Sequence, residues 1–135
     1  MYRNILVPVS FDGECDATDA LDLAATLAVP DGDITILHVI EQVPAFVASY
    51  IPAEFAEETQ KSLKSKLDKL ASSRTNTNGV LISGHSARSI LDFAETNEHD
   101  LIVVSSHRPG MQDLLLGSTA AKIVRHATCS VHVLR

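Results

Sequence analysis

No stretch of this 135-residue chain is apolar for long enough to cross a membrane as a helix. Cysteine is scarce. Cys15 and Cys129 are the only two, and they lack both metal-ligand spacing and the density of a disulfide framework. They read as reduced thiols. Six histidines are present, yet none forms a His-x-x-x-His pair, so no metal centre is expected from them. Positive charge is short: the net charge of -6 argues against nucleic acid or acidic lipid as a main partner. A small local basic pocket remains compatible with that balance. The chain has no internal repeat and no low-complexity segment. Its first residues pass directly into an apolar run, with nothing that resembles a targeting peptide, so a cytoplasmic location is expected. No Walker-type lysine and no assembled general base stand out, which argues against a committed enzyme.

What is present is alternation. Residues 4–9, 33–40, 80–83, 101–104 and 130–134 are short apolar runs of the kind that form buried strands. Between them lie segments with helical spacing. The first spans about residues 15–28, with Ala17, Ala20, Leu21, Ala24 and Leu27 on one face; Pro30-Asp31-Gly32 is expected to stop it. The second, residues 53–72, should turn Ala56, Leu63, Leu67 and Leu70 inward and leave Lys61, Lys64, Lys66 and Lys69 solvated. A third, opened by Ser86 or a neighbour as cap, carries Ala87, Ile90, Leu91 and Ala94. Residues 41–52 hold two prolines and no clean period, and read as a long loop able to close over a ligand; residues 72–78 read as a polar loop. The order β-α-β-α-β-α-β-α-β implies one α/β domain over residues 1–135, with a parallel sheet covered by helices on both faces. Ligands in such sheets bind beyond the carboxyl ends of strands, where the strand order reverses. The exits at Pro8-Val9-Ser10-Phe11-Asp12, Val39-Ile40-Glu41 and Ser105-Ser106-His107-Arg108 therefore draw notice.

The segment from Asp100 to Arg125 organises the rest. A buried strand leads into a Ser/Arg/Pro/Gly-rich turn, and Gly117-Ser118 then begins a helix with Ala120, Ala121, Ile123, Val124 and Ala127. A helix start exposes unpaired N–H groups and the positive end of the dipole. Glycine lets an anion approach closely, Ser118 adds a hydroxyl donor, and Arg108 adds a cation. Two readings follow: a phosphate site, or an ordinary capped helix. Asp12 likewise reads either as a turn and helix-start residue or as a holder of a metal that accompanies a nucleotide.

The ordered set of these motifs resembles the universal stress protein family over nearly the whole chain. The resemblance is carried by Tyr2-Arg3-Asn4-Ile5-Leu6-Val7-Pro8-Val9, Leu37-His38-Val39-Ile40, Asp100-Leu101-Ile102-Val103-Val104, Leu115-Leu116-Gly117-Ser118 and the run from Val124 to Arg135. The Ser106-His107-Arg108-Pro109 turn is similar to that of a small bacterial branch of the family. The resemblance implies an adenine nucleotide alpha hydrolase-like sheet in the order 3-2-1-4-5. It also implies ATP, with or without magnesium, in the crevice between strands one and four.

Family members that bind ATP carry Gly, two residues, Gly, nine residues, Gly, then Ser or Thr. Here Ser105 and Arg108 replace the first two glycines and the spacer is one residue shorter, while Gly117 and Ser118 are kept. Ser10 stands where the family commonly has Asp. On this resemblance Gly117, Ser118 and Thr119 would hold phosphates. Arg108 would be the charge partner with His107 behind it. Pro8, Val9 and Val39 would frame adenine, with Ser10, Asp12, Ser105 and Ser106 nearby. The last strand, bearing Val131 and Val133, offers an edge through which family members dimerise. The expected protein is a dimeric, ATP-binding regulatory protein of the stress response with an unnamed protein partner; slow ATP hydrolysis or autophosphorylation would be a side activity. The alternative is a nucleotide-independent dimeric interaction protein, with Arg108 filling the crevice.

Overall fold

The computed structural model describes residues 1–10, 17–41, 44–105 and 117–134. Asp12, Cys15, Asp16, Ser106, His107 and Arg108 lie outside them. The elements run β1 (Tyr2–Pro8), α1 (Thr18–Leu27), β2 (Ala28–Glu41), α2 (Ala45–Ala48), α3 (Ala53–Ser72), β3 (Thr77–Gly84), α4 (Ser86–Thr96), β4 (Leu101–Ser105), α5 (Ser118–His126) and β5 (Ser130–Leu134). The five strands form one sheet in the order β3-β2-β1-β4-β5, and each neighbouring pair is parallel. The expected α/β class and strand order are both met.

The apolar runs are explained by the pleat, which sends successive side chains to opposite faces. Ile5, Val7, Ile34, Ile36, Leu101 and Val103 pack with Leu21 and Ala24 of α1 and Leu67 and Ala71 of α3. Leu6, Leu37, Val39, Ile102 and Val104 pack with Ile90 and Ala94 of α4 and Ala120 and Ile123 of α5. A strand buried on both faces must be apolar at every position, so its sequence does not alternate.

Several local expectations change. The first helix ends at Leu27, and Pro30-Asp31-Gly32 lies inside β2. Pro30 acts through the residue before it, since a residue preceding proline avoids the helical region. Residues 29–32 sit opposite Arg3, where the β1–β2 register shifts. A Cβ on Gly32 would come within 3.1 Å of the Tyr2 carbonyl oxygen, so the close approach of the two strands there favours glycine. β3 begins at Thr77, inside the segment expected to be loop. The 41–52 segment contains the single-turn α2, and Pro44 and Pro52 immediately precede α2 and α3, where a fixed φ suits a helix start.

The predicted inward face of α3 is the one that packs on the sheet, but only along the second half of the helix. Leu67 and Ala71 are buried and Leu63 and Leu70 half-buried, while Ala56 is exposed because residues 53–62 overhang the core. All four lysines of that helix are exposed, as expected. Ala121 and Val124 of α5 are also exposed, because Ala120 and Ile123 take the contact with the sheet.

Candidate functional site

β1 stops at Pro8, which pairs with Leu37, while β2 runs on to Glu41 beside β3. Proline has no N–H to continue the ladder. The Val9 N–H still donates to the Leu37 carbonyl at 2.8 Å, and His38 Nδ1–H donates to the Val9 carbonyl at 2.9 Å. Beyond this step lies a crevice of about 630 Å³, within the usual range for small-molecule sites. Its floor is the carboxyl ends of β1, β2 and β4, and its rim includes the first turns of α4 and α5.

The crevice brings together Pro8, Val9, Ser10, Val39, Ser105, Ser118 and Thr119 from the residues singled out in the sequence. Gly117 adjoins them as the residue that starts α5. Asp12, Ser106, His107 and Arg108 lie outside the described residues. The lining also includes His38, Ile40, Glu41, Leu63 and Ser86, which the sequence did not mark as ligand residues. Glu41 had one visible signal, its place at a strand exit; Ser86 had none, because its role depends on a partner far away in the chain.

Among the described residues no side chain caps the α5 start, and its first turn carries no acidic residue; the α4 start shares both features. The first backbone bond back into the helix is Ala121 N–H to the Gly117 carbonyl at 2.9 Å. The amides before Ala121 therefore have no partner within the helix. Asp19 in α1 and Glu54 in α3 supply first-turn carboxylates. At α4, Ser86 Oγ donates to Glu41 Oε1 at 2.9 Å. Gly117 has φ of -58° and does not need glycine for its backbone. A Cβ added there would meet no described atom within 4 Å.

Other candidates fall away on position. Cys129 packs beside the core under α5, and burial pushes its thiol pKa up, which disfavours a reactive thiolate. Among the described residues, no group of three or more His, Cys, Asp or Glu side chains is placed to hold a metal ion. No described helix is long and apolar enough to cross a membrane.

A doubly wound parallel sheet, with a crevice where its strand order reverses and an uncapped helix start on the rim, defines a class of α/β ligand-binding fold. The universal stress protein family model matches residues 1–135, and the chain belongs to that family. It is 31% identical to universal stress protein G of Salmonella typhimurium, over all of both chains. Among solved structures it is similar to universal stress protein UspA from Lactobacillus plantarum, with a TM-score of 0.72, 29% identity, and 99% and 98% of the two chains covered. The universal stress protein from Archaeoglobus fulgidus, solved in complex with dAMP, superposes with a TM-score of 0.69 at 20% identity, covering 99% of this chain and 98% of that one.

Proposed function

We propose that this protein binds an adenine nucleotide, ATP with or without magnesium, in the crevice at the carboxyl ends of β1 and β4. In this reading it serves as a dimeric regulatory protein of the stress response in the cytoplasm. The observation that carries the reading is the α5 start. Its first amides have no partner within the helix, and among the described residues no side chain caps them, no first-turn acid stands beside them and nothing fills the space next to Gly117. Such a terminus favours a phosphate through both its N–H groups and its dipole. Gly117, Ser118 and Thr119 would take the phosphates, and the Ser118 hydroxyl would add a donor. Pro8, Val9 and Val39 would frame the base, with Ser10 and Ser105 between. Asp12, Ser106, His107 and Arg108 keep their sequence-based roles in the proposal. The archaeal relative in complex with dAMP supports adenine as the base.

The dimer part of the proposal rests on β5. It is an edge strand with Ser130 and His132 exposed, while Val131 and Val133 pack inward on the core. Its outer backbone groups can accept another strand.

Denaturing the purified protein and separating the supernatant should release adenine nucleotide, and calorimetric titration with ATP and magnesium should saturate at one nucleotide per chain. Neither release nor heat would overturn the nucleotide reading in favour of a nucleotide-independent interaction protein. A monomer by light scattering at micromolar concentration would overturn the dimer.

A further inference from the structure

The chain carries few aromatic residues, and three of them stand in the open on one short segment. Phe46 of α2, Tyr50 in the turn that follows and Phe55 in the first turn of α3 are 71%, 84% and 62% exposed. Ile51, between them, is 37% exposed. The other described aromatics, Tyr2 and Phe93, pack against the core. At these exposures the three rings leave roughly 300–550 Å² of apolar surface in water. That matches the largest patch on an ordinary monomer, and such patches commonly mark interaction sites.

The surface around the patch is acidic. No lysine or arginine occurs from Asn4 to Gln60, a span that holds eleven of the seventeen acidic residues. Glu54, Glu57 and Glu58 are exposed, and among the described residues none of them is paired with a cation. Glu58 stands three positions after Phe55 and four after Glu54, so these side chains are neighbours on the surface of α3. Two carboxylates at that spacing repel each other, and a cation set between them would relieve the repulsion.

Charge and area decide what covers the patch. A two-fold contact with a second copy would set these carboxylates against their own kind. The patch is also smaller than the surface of about 800 Å² per partner that a stable dimer buries. Nucleic acid and anionic lipid carry charge of the same sign as the patch. A cationic polypeptide meets every condition. Its lysines or arginines pair with the carboxylates and stack on the aromatic faces, while its apolar side chains cover the rings.

We propose that the junction of α2 and α3, centred on Tyr50 and Phe55, is a docking surface for a cationic amphipathic segment of another protein. Such docking needs no nucleotide in the crevice, so failure of the nucleotide reading leaves it standing.

The test uses a short synthetic helix of leucine and lysine, beside a leucine–glutamate helix and a serine–lysine peptide. The chain has no tryptophan and two tyrosines, so in Tyr2→Phe protein the fluorescence reports on Tyr50 alone. At physiological ionic strength the leucine–lysine helix should change that fluorescence with a Kd on the order of 10 μM, as suits a small transient contact. Each comparison peptide should bind at least about tenfold more weakly. Phe55→Ser and Glu58→Lys, followed by anisotropy of the labelled leucine–lysine helix, should each weaken binding by about tenfold. Their thermal unfolding should match wild type, because both side chains are exposed. Asp31→Lys, the same charge change at an exposed site near the amino end of β2, should bind as wild type does. Equal binding by wild type and Phe55→Ser overturns the proposal and leaves only general attraction to an acidic protein. A loss in Asp31→Lys as large as that in Glu58→Lys overturns it in the same way. No binding of the leucine–lysine helix, or equal binding of the leucine–glutamate helix, overturns it outright. Association of wild type into larger species that Phe55→Ser abolishes overturns it in favour of a second copy.

Discussion

At the amino end of β1, the Asp100 carboxylate accepts the Arg3 and Asn4 N–H groups at 2.9 and 3.0 Å. The Asn4 side-chain amide donates to the carbonyls of Asn97 and Glu98 at 2.8 and 3.3 Å. The Asn4 carbonyl accepts from the Asp100 N–H at 2.9 Å and from His99 Nδ1 at 3.3 Å. At the carboxyl end of the same strand the ladder stops at Pro8 and a crevice opens. One end pairs its polar groups within the chain; the other brings an uncapped helix start to an open space. Paired groups contribute stability. Groups left available are free to bind, which is why a substitution at each end should move a different measurement.

The largest effect is expected at the open end. Gly117→Val fills space that no described atom occupies, so it should weaken ATP binding by roughly 100-fold through lost phosphate hydrogen bonds. Folding stability should stay within about 0.5 kcal/mol of wild type. Equal binding by both proteins in calorimetry would break the assignment of the α5 start.

At the closed end the order reverses. Asp100→Ala orphans two backbone N–H groups and should cost about 2 kcal/mol in urea unfolding, with nucleotide affinity unchanged. A smaller gain is expected from Glu98→Gly. Glu98 has φ of 55°, a conformation that glycine adopts without strain. The His99 N–H reaches back to the Ala94 carbonyl at 2.9 Å in the same helix ending. The change should stabilise by about 0.5 kcal/mol, and a loss would show that the side chain of Glu98 matters more than its backbone.

The smallest effect concerns pH. His99 is buried and stacks on Phe93 with ring centroids 5.7 Å apart. Burial pulls its pKa below the ordinary 6.5, against the opposing influence of the Asn4 carbonyl and Asp100. The unfolded chain then binds more protons than the folded one as pH falls through 6.5 toward the folded value. Stability from neutral His99 is fully present above 6.5 and is lost across that window. His99→Gln, which does not titrate, should show a flatter urea midpoint over the same window; identical slopes would sink the prediction.

Much of the fold was legible because a doubly buried strand leaves an unmistakable apolar run. Leu101 to Val104 and Ser130 to Leu134 were readable in place, and α3 was readable to both bounds. Misreadings arose where a local signal depended on distant structure. Ala56, Ala121 and Val124 have core-like chemistry but stand where no layer covers them. Pro30-Asp31-Gly32 has the composition of a turn, yet the neighbouring β1 draws it into a strand. In the candidate site, the Gly117-Ser118 start and the strand exits were visible as local motifs. His38 on the Val9 carbonyl and Ser86 on Glu41 were not, since each contact joins separate elements.

By itself the amino-acid order determined the succession of strands and helices, because period and burial are properties of a short stretch. It also determined the glycine and serine that begin α5. Tertiary structure alone decided which carboxylate meets which helix start. Glu41 and Ser86 lie on separate elements, and only the packing of α4 against the sheet brings them within hydrogen-bond range. That pairing sets a carboxylate beside the first residue of α4, a contact between separate elements that no local pattern encodes.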